Sequence, residues 1–319
     1  MTAGPVVTRF APSPTGYLHL GHVRSALEGW RAARAAGGRF LLRLEDIDRT
    51  RCREEYAAAI IEDLAWLGLG WDGEVRRQSE HFADYRDALE RLEALGVLYP
   101  CFCTRREILA EIARAGGAPQ GETGSPYPGT CRRLGTAERG ERQQAGHNYA
   151  LRLDVAGALA LTGRLDWIEE GDGKPHRVRA EPAPLGDVVL ARKEVPASYH
   201  LAVAVDDAIQ GVTLVTRGED LAPSTHIHRL LQALLALPAP CYRHHPLLTD
   251  ATGRRLAKRD HAQTIRAMRA AGLKPAEIIA AALSPASNAQ IASPSAVRQA
   301  PADHHNGRPR VWSKKVSPA

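Results

Sequence analysis

Near its N-terminus the chain reads Arg9-Phe10-Ala11-Pro12-Ser13-Pro14-Thr15-Gly16-Tyr17-Leu18-His19-Leu20-Gly21-His22. Val6 to Ala11 has the composition of a strand, and apolar residues recur at helical spacing from Val23 to Ala33. The run therefore joins a strand to a helix through a turn rich in proline and glycine. At such a junction the backbone N–H groups and the helix dipole favour an anion, and the glycines permit close approach of the backbone. The sequence predicts a phosphate-binding turn.

His19 and His22 are three residues apart and are expected to share one face of this helix. On that face both imidazoles can donate hydrogen bonds to phosphate oxygens and stabilise the charge that builds on an attacked phosphorus. The alternative is a proline-rich turn with two surface histidines. An isolated His-x-Gly-His pattern would favour that alternative, but the whole run from Arg9 to His22 is far more specific.

The alternation of predicted elements extends through the first hundred residues, with a second strand at 39–44 and further helices at 54–67 and 81–95. It predicts an α/β fold of the Rossmann type, with a parallel sheet and helices on both faces. Residues 115–142 are rich in Gly, Pro, Thr and Arg and are predicted to form an exposed loop. Later strands are predicted at 149–155, 187–191, 199–205 and 211–216, followed by a helix at 223–237.

These elements predict an interrupted catalytic domain. Residues 1–96 and 191–240 are interpreted as its two halves, and residues 97–190 as an inserted subdomain. Residues 241–283 are expected to form a small helical region, and residues 284–319 a disordered tail, since they lack an apolar period.

Composition limits the classes of function. The chain has 319 residues, a net charge of +6 and a pI near 9.2, a balance that suits a polyanionic partner but also an ordinary arginine-rich protein. No window approaches eighteen apolar residues, and residues 1–7 lack the features of a secretory signal, so a cytoplasmic protein is expected. Five cysteines without such a signal argue against a disulfide framework.

Three of these cysteines, Cys101, Cys103 and Cys131, lie within one window of 31 residues. Three thiolates favour Zn²⁺ and leave a tetrahedral site one ligand short. On chemical grounds His147 would be the ordinary fourth ligand. The alternative is three buried free thiols.

Two arginines are predicted at the carboxyl ends of strands, where open α/β sheets bind ligands: Arg9 and Arg217. A planar guanidinium suits a carboxylate. Glu45 ends the second strand and can pair with an ammonium group, and Tyr199 can donate its hydroxyl. Each has an ordinary alternative, since Glu45 suits a surface charge pair and Tyr199 an edge of the core.

A basic pentapeptide follows much later, Arg255-Leu256-Ala257-Lys258-Arg259. A mobile lysine in such a loop can neutralise pyrophosphate as it leaves. Basic loops are common, however, and most are simply solvated.

Several of these segments together resemble one family. The run from Arg9 to His22 closely resembles the "HIGH" region of class I aminoacyl-tRNA synthetases, in the form used by the glutamyl branch. The pentapeptide looks like the "KMSKS" loop of the same class, with Arg255 in place of the first lysine and Ala257 in place of the serine. The stretch Leu42-Arg43-Leu44-Glu45-Asp46-Ile47-Asp48, and those around Tyr199 and Arg217, are similar to glutamate-site segments of the family.

The resemblance implies roles for particular residues. Catalysis would involve His19, His22 and Lys258. L-Glutamate would be bound by Arg9, Phe10, Ala11, Pro12, Ser13, Glu45, Tyr199 and Arg217. ATP, with Mg²⁺, would be bound by Pro12, Thr15, Gly16, His19, Gly21, His22 and Lys258.

Cys-x-Cys followed by Tyr-x-x-x-Cys resembles the zinc knuckle of the glutamyl-Q tRNA(Asp) synthetases. This implies a structural Zn²⁺ held by Cys101, Cys103, Cys131 and Tyr127, with His147 as the rival to the tyrosine.

The same family is favoured by length, because only about sixty residues follow the basic pentapeptide at 255–259. It implies a monomer that activates glutamate without tRNA and transfers it to queuosine at the wobble position of tRNA(Asp). The alternatives are a truncated glutamyl-tRNA synthetase that charges tRNA(Glu) and a non-catalytic amino-acid sensor or tRNA-binding module.

Overall fold

The structure is a computed structural model, and it describes residues 5–104, 106, 127, 129–171, 174–193, 195–248 and 264–284. Its strands are β1 (Val7–Phe10), β2 (Arg39–Leu44), β3 (Arg76–Arg77), β4 (Leu98–Cys101), β5 (Ala150–Leu153), β6 (Asp166–Glu169), β7 (His176–Arg179), β8 (Val189–Arg192), β9 (Leu214–Gly218) and β10 (Cys241–His245). Its α-helices are α1 (Leu20–Ala35), α2 (Glu54–Trp66), α3 (Phe82–Ala94), α4 (Thr136–Gln144), α5 (Val155–Thr162), α6 (Tyr199–Ile209), α7 (Ala222–Leu234), α8 (Ile265–Ala270) and α9 (Pro275–Leu283). None of the helices in these ranges is long and apolar enough to cross a bilayer.

Parallel strands form the centre of the fold. Strand β2 pairs in parallel with β1 and β3, and β10 pairs in parallel with β9 and β6. The two groups meet where the Thr213 N–H donates to the Val7 carbonyl at 2.9 Å, just before β9. The carboxyl ends of β1 and β9 therefore lie side by side, and they carry Arg9 and Arg217. The predicted α/β class with a Rossmann-like parallel sheet is confirmed.

Helix α1 is seated closely on this sheet at Gly29. A Cβ atom there would lie 2.9 Å from Thr216 Oγ1 and 3.2 Å from the Phe40 ring. The Thr8 hydroxyl also donates to the Gly29 carbonyl at 2.8 Å. These contacts hold the second half of α1 against β1, β2 and β9. In this class of fold a nucleotide is bound at the carboxyl ends of the strands.

The segment 97–190 contributes to two sheets. Strands β4, β5 and β8 form an antiparallel sheet of their own. The hairpin of β6 and β7 instead joins the central sheet, because β6 pairs with β10 and the Glu170 N–H donates to the Tyr242 carbonyl. The division into catalytic halves and insertion stays a prediction.

Two secondary-structure predictions are wrong. Residues 199–205, which the sequence predicts as a strand, instead begin helix α6. This helix is buried on almost every side, so it lacks the polar face that gives a surface helix its period. Part of the predicted loop 115–142 is also helical, as α4.

The C-terminal region is helical, as predicted, and packs on α1. Ile265 and Ile278 share a core with Val23 and Leu27 of that helix. Thr264 forms an isolated bridge with His19, and the Ile265 N–H donates to the Leu18 carbonyl at 2.8 Å. The predicted loop at 255–259, with Lys258, and the tail at 285–319 lie outside the described residues.

Candidate active site

The histidine pair occupies the N-terminus of α1. His19 is the N-cap residue, and its Nδ1 accepts the Gly21 N–H at 3.1 Å. The Nδ1 of His22 accepts the His19 N–H, also at 3.1 Å. A nitrogen that accepts carries no proton, so both rings are neutral with the proton on Nε2. The rings lie 3.8 Å apart, and their Nε2–H groups are the type of donor that phosphate oxygens need.

Gly21, which lies between the two histidines, leaves no room for a larger side chain beside the His19 ring. A Cβ atom on Gly21 would lie 3.0 Å from Cε1 and 3.2 Å from Nδ1 of the His19 ring. A larger residue would therefore displace the imidazole from its cap.

Among the other residues predicted here, the Pro12 carbonyl accepts the Glu45 N–H at 3.0 Å and the Ser13 carbonyl accepts the Thr15 N–H at 2.8 Å. The first bond ties the turn to the end of β2, and the second closes the turn on itself. Phe10 is buried in the core.

Arg217 lies buried at the end of β9, surrounded by neutral acceptors. It donates from Nε to His244 Nε2 at 3.2 Å and from Nη2 to Thr225 Oγ1 at 2.5 Å. Its Nη1 donates to His228 Nδ1 at 3.2 Å and to the Tyr199 hydroxyl at 3.4 Å. No carboxylate within the described ranges pairs directly with this guanidinium. Its charge therefore remains available to an acidic ligand.

The imidazoles beside Arg217 are held in their neutral form. Burial, together with the charge of Arg217, lowers the pKa of His228 well below its ordinary value and that of His200 to about 4. Burial also lowers the pKa of His244. Neutral rings can accept from the guanidinium, whereas imidazolium ions would repel it.

The second arginine, Arg9, has a different environment. Its Nε donates to Asp207 Oδ1 at 2.9 Å, and the buried Arg43 donates to the same oxygen at 2.8 Å. Although burial alone would raise the pKa of Asp207, the two guanidinium groups lower it below its ordinary value. Arg9 is therefore fixed by a permanent ion pair, and its charge is largely balanced.

Glu45 faces this cluster from the end of β2. Its Oε1 lies 3.3 Å from Arg43 Nη2. Burial raises the pKa of Glu45 to about 7, against the opposing effect of Arg43 and Arg9. An ammonium group placed beside Glu45 would favour the ionised form. The site thus combines two groups: Arg217, whose positive charge can bind an acidic ligand, and Glu45, which becomes fully ionised when an ammonium group binds beside it.

The three cysteines of the predicted metal site also come together. The sulfur atoms of Cys101, Cys103 and Cys131 lie within 4.8 Å of one another. The Tyr127 hydroxyl oxygen lies 3.3 Å from the sulfur atoms of Cys101 and Cys103, and it accepts the Cys131 N–H at 3.0 Å. His147 is exposed on the surface and is not part of this group. The donor set of three thiols and a phenol fits a tetrahedral Zn²⁺.

Sequence reasoning missed four residues that shape the pocket. Arg43 within an apolar strand and Asp207 within an apolar helix were detectable, because charged side chains are seldom fully buried without partners. His228 and His244 follow no pattern in the sequence that distinguishes them.

Residues 5–285 match the family model described as "tRNA synthetases class I (E and Q), catalytic domain". The Glutamyl-Q tRNA(Asp) synthetase of Rhodobacter capsulatus is 52% identical over 280 residues, covering 86% of this chain and 98% of that protein. Glutamate–tRNA ligase 2 of Acidithiobacillus ferrooxidans is 43% identical over 277 residues, covering 83% of this chain and 55% of the ligase. Among solved structures, the glutamate-tRNA synthetase of Elizabethkingia anophelis superposes with a TM-score of 0.70 at 28% identity, over 91% of this chain and 64% of that one.

Proposed function

The chain belongs to the glutamyl-Q tRNA(Asp) synthetase family of class I aminoacyl-tRNA synthetases, and we propose that it activates L-glutamate with ATP and transfers it to queuosine in tRNA(Asp). The observation that carries the proposal is Arg217, a buried cation among neutral acceptors. A glutamate side chain supplies the direct carboxylate partner that the described residues do not. Glu45 receives the ammonium group, and Arg9 borders the same pocket.

The first reaction is formation of glutamyl-adenylate. An oxygen of the α-carboxylate attacks the α-phosphorus of ATP, and the bond to the oxygen that bridges to the β-phosphorus breaks, releasing pyrophosphate. The Nε2–H groups of His19 and His22 donate to phosphate oxygens and stabilise the charge on the reacting phosphoryl group. A bound Mg²⁺ would neutralise part of the triphosphate charge.

Lys258 is proposed to act on the leaving pyrophosphate. It precedes Thr264 by six residues in the sequence, and Thr264 pairs with His19. Thr264, the first described residue after Lys258, therefore lies beside the histidine pair.

In the second reaction, a hydroxyl of the queuosine ring attacks the carbonyl carbon of the adenylate, and AMP leaves. The enzyme forms no covalent bond to glutamate in either reaction, and none of its cysteines acts as a nucleophile. Identity of 52% to a relative named for this reaction, over 98% of its length, supports the choice of acceptor.

Zn²⁺ is proposed to have a structural role. Cys101, Cys103, Cys131 and Tyr127 would hold it, and the buried Arg152 lies 3.7 Å from the centre of the Tyr127 ring. This guanidinium would offset the negative charge of the thiolates. We expect the enzyme to work as a monomer in the cytoplasm.

Two assays test the proposal. Pyrophosphate exchange into ATP should depend on glutamate and need no RNA, and a chain that only binds amino acids would show none. Labelled glutamate is then offered to tRNA(Asp) with and without queuosine and to tRNA(Glu). Labelling of queuosine-containing tRNA(Asp) alone is the expected result, whereas labelling of tRNA(Glu) alone would overturn the assignment. In the K258A variant, exchange should fall severely while glutamate binding persists.

A further inference from the structure

His244 is held opposite Arg217 by the sheet itself. The two residues are partners in the parallel register of β9 and β10. Their side chains meet through the bond from Arg217 Nε to His244 Nε2 at 3.2 Å. A guanidinium only donates, so Nε2 must accept and the ring proton must lie on Nδ1. The bond from Arg217 Nε therefore exists only while this tautomer is maintained.

The tautomer is maintained by Glu169, at the end of β6. Its carboxylate oxygens lie 2.9 Å and 3.0 Å from His244 Nδ1. The same carboxylate accepts the backbone N–H of His244 at 2.9 Å and the Trp167 indole N–H at 3.1 Å. Three donors thus fix the carboxylate, and the carboxylate in turn fixes the imidazole. Neither side chain is far exposed, at 14% for Glu169 and 8% for His244.

We propose that Glu169 is a positioning residue for the substrate: acting through His244, it aims Arg217 at the side-chain carboxylate of glutamate. This inference rests on the proposed function. It assigns a role in substrate binding to the β6–β7 hairpin, which belongs to the segment predicted as an insertion.

The intervening imidazole has a consequence for charge. An acid in direct contact with Arg217 would compete with the substrate, as Asp207 would for Arg9. Glu169 is separated from the guanidinium by one neutral ring, so it orients Arg217 without occupying it. Without Glu169, the His244 ring can carry its proton on Nε2. The Nε2–H of His244 and the Nε–H of Arg217 would then face each other.

The neighbouring Glu170 makes it possible to distinguish the positioning role of Glu169 from a role in merely attaching the hairpin to the sheet. Glu170 also ties the hairpin to β10, since Arg243 Nη2 donates to its carboxylate at 2.9 Å. Among the described residues, its side chain forms no hydrogen bond or ion pair with His244 or Arg217. Glu170→Gln is therefore a matched control for Glu169→Gln.

The test measures pyrophosphate exchange with the full-length protein. Glu169→Ala should raise the KM for glutamate about tenfold, the usual effect of losing a hydrogen bond to a charged group, and leave kcat and the KM for ATP within about twofold. Glu169→Gln should raise the KM for glutamate by only about threefold, because its amide oxygen still accepts from His244 Nδ1. Glu170→Gln should behave as the wild type.

Nitrogen NMR of histidine-labelled protein provides a second readout. The His244 signals, assigned by their loss in the His244→Gln variant, should show an Nδ1–H tautomer in the wild type and a mixture in Glu169→Ala. An unchanged KM for glutamate in both Glu169 variants, a joint rise of the KM values for glutamate and ATP in those variants, or the same rise in the KM for glutamate in Glu170→Gln would overturn the inference while the proposed function stands. Absence of glutamate-dependent exchange in the wild type would overturn both. Should Glu169→Ala fail to fold, the isosteric Glu169→Gln decides.

Discussion

Raising the pH from 6 to 8 is expected to tighten the binding of glutamate, because Glu45 must be ionised to receive the substrate ammonium group. Burial raises the pKa of Glu45 to about 7. Below that value the empty pocket holds a neutral acid, and the ammonium group must displace its proton. Above it the carboxylate is already charged, so binding strengthens as the pH rises and levels off.

The magnitude follows from the fraction of Glu45 that is ionised. With a pKa of about 7, this fraction is about one-tenth at pH 6 and about nine-tenths at pH 8, so the dissociation constant should fall about tenfold. Other groups in the pocket do not obscure the change. The pKa of His200 is lowered to about 4 and that of His228 well below its ordinary value, so both rings stay neutral over this range.

Calorimetric titration with L-glutamate in the absence of ATP measures the effect directly. Glu45→Gln is the control, because its amide keeps an acceptor near Arg43 but does not titrate. Its affinity should be weaker and independent of pH from 6 to 8. A flat profile in the wild type, or the same slope in the variant, would refute the assignment of Glu45 as the ammonium partner.

Three further predictions concern stability and metal content. Gly29→Ala should lower the free energy of unfolding in urea by about 1–3 kcal/mol, since the contact 2.9 Å from Thr216 Oγ1 outweighs the helix propensity of alanine; a stabilised variant would contradict the packing of α1. Asp63 is buried and accepts no hydrogen bond within the described ranges, and burial raises its pKa from 3.8 to about 6. Between these two pKa values the folded state binds more protons than the unfolded state, so it loses stability as the pH rises. Asp63→Asn should therefore be more stable than the wild type by about 1–3 kcal/mol at pH 8 and equally stable at pH 4. Equal stability of the two proteins at both pH values would exclude the effect. Cys131→Ser should abolish retention of zinc through gel filtration, measured by atomic absorption, and full retention would show that the cysteine group is not the site.

The sequence alone was sufficient for features encoded in short contiguous segments. The strand, turn and helix around His19 and His22 are local, because proline, glycine and hydrophobic period act over a few residues. Cysteine spacing likewise predicted a cluster that the fold brings together. The segment 199–205 shows the limit of this reasoning. A helix buried on nearly all sides has no amphipathic period, so no pattern in the sequence indicates that this segment is helical.

The environment of each pocket residue was decided only by the tertiary structure. Arg217 and Arg9 are both arginines near strand ends, and no local pattern distinguishes them. Arg9 is paired with Asp207, 198 positions away in the sequence, whereas Arg217 lies beside His244, which Glu169 orients. Charge and hydrogen bonding in a buried site depend on which strands and helices converge there. That convergence is fixed by the pairing of β9 with β10 and of β10 with β6, over sequence separations that local propensity does not encode.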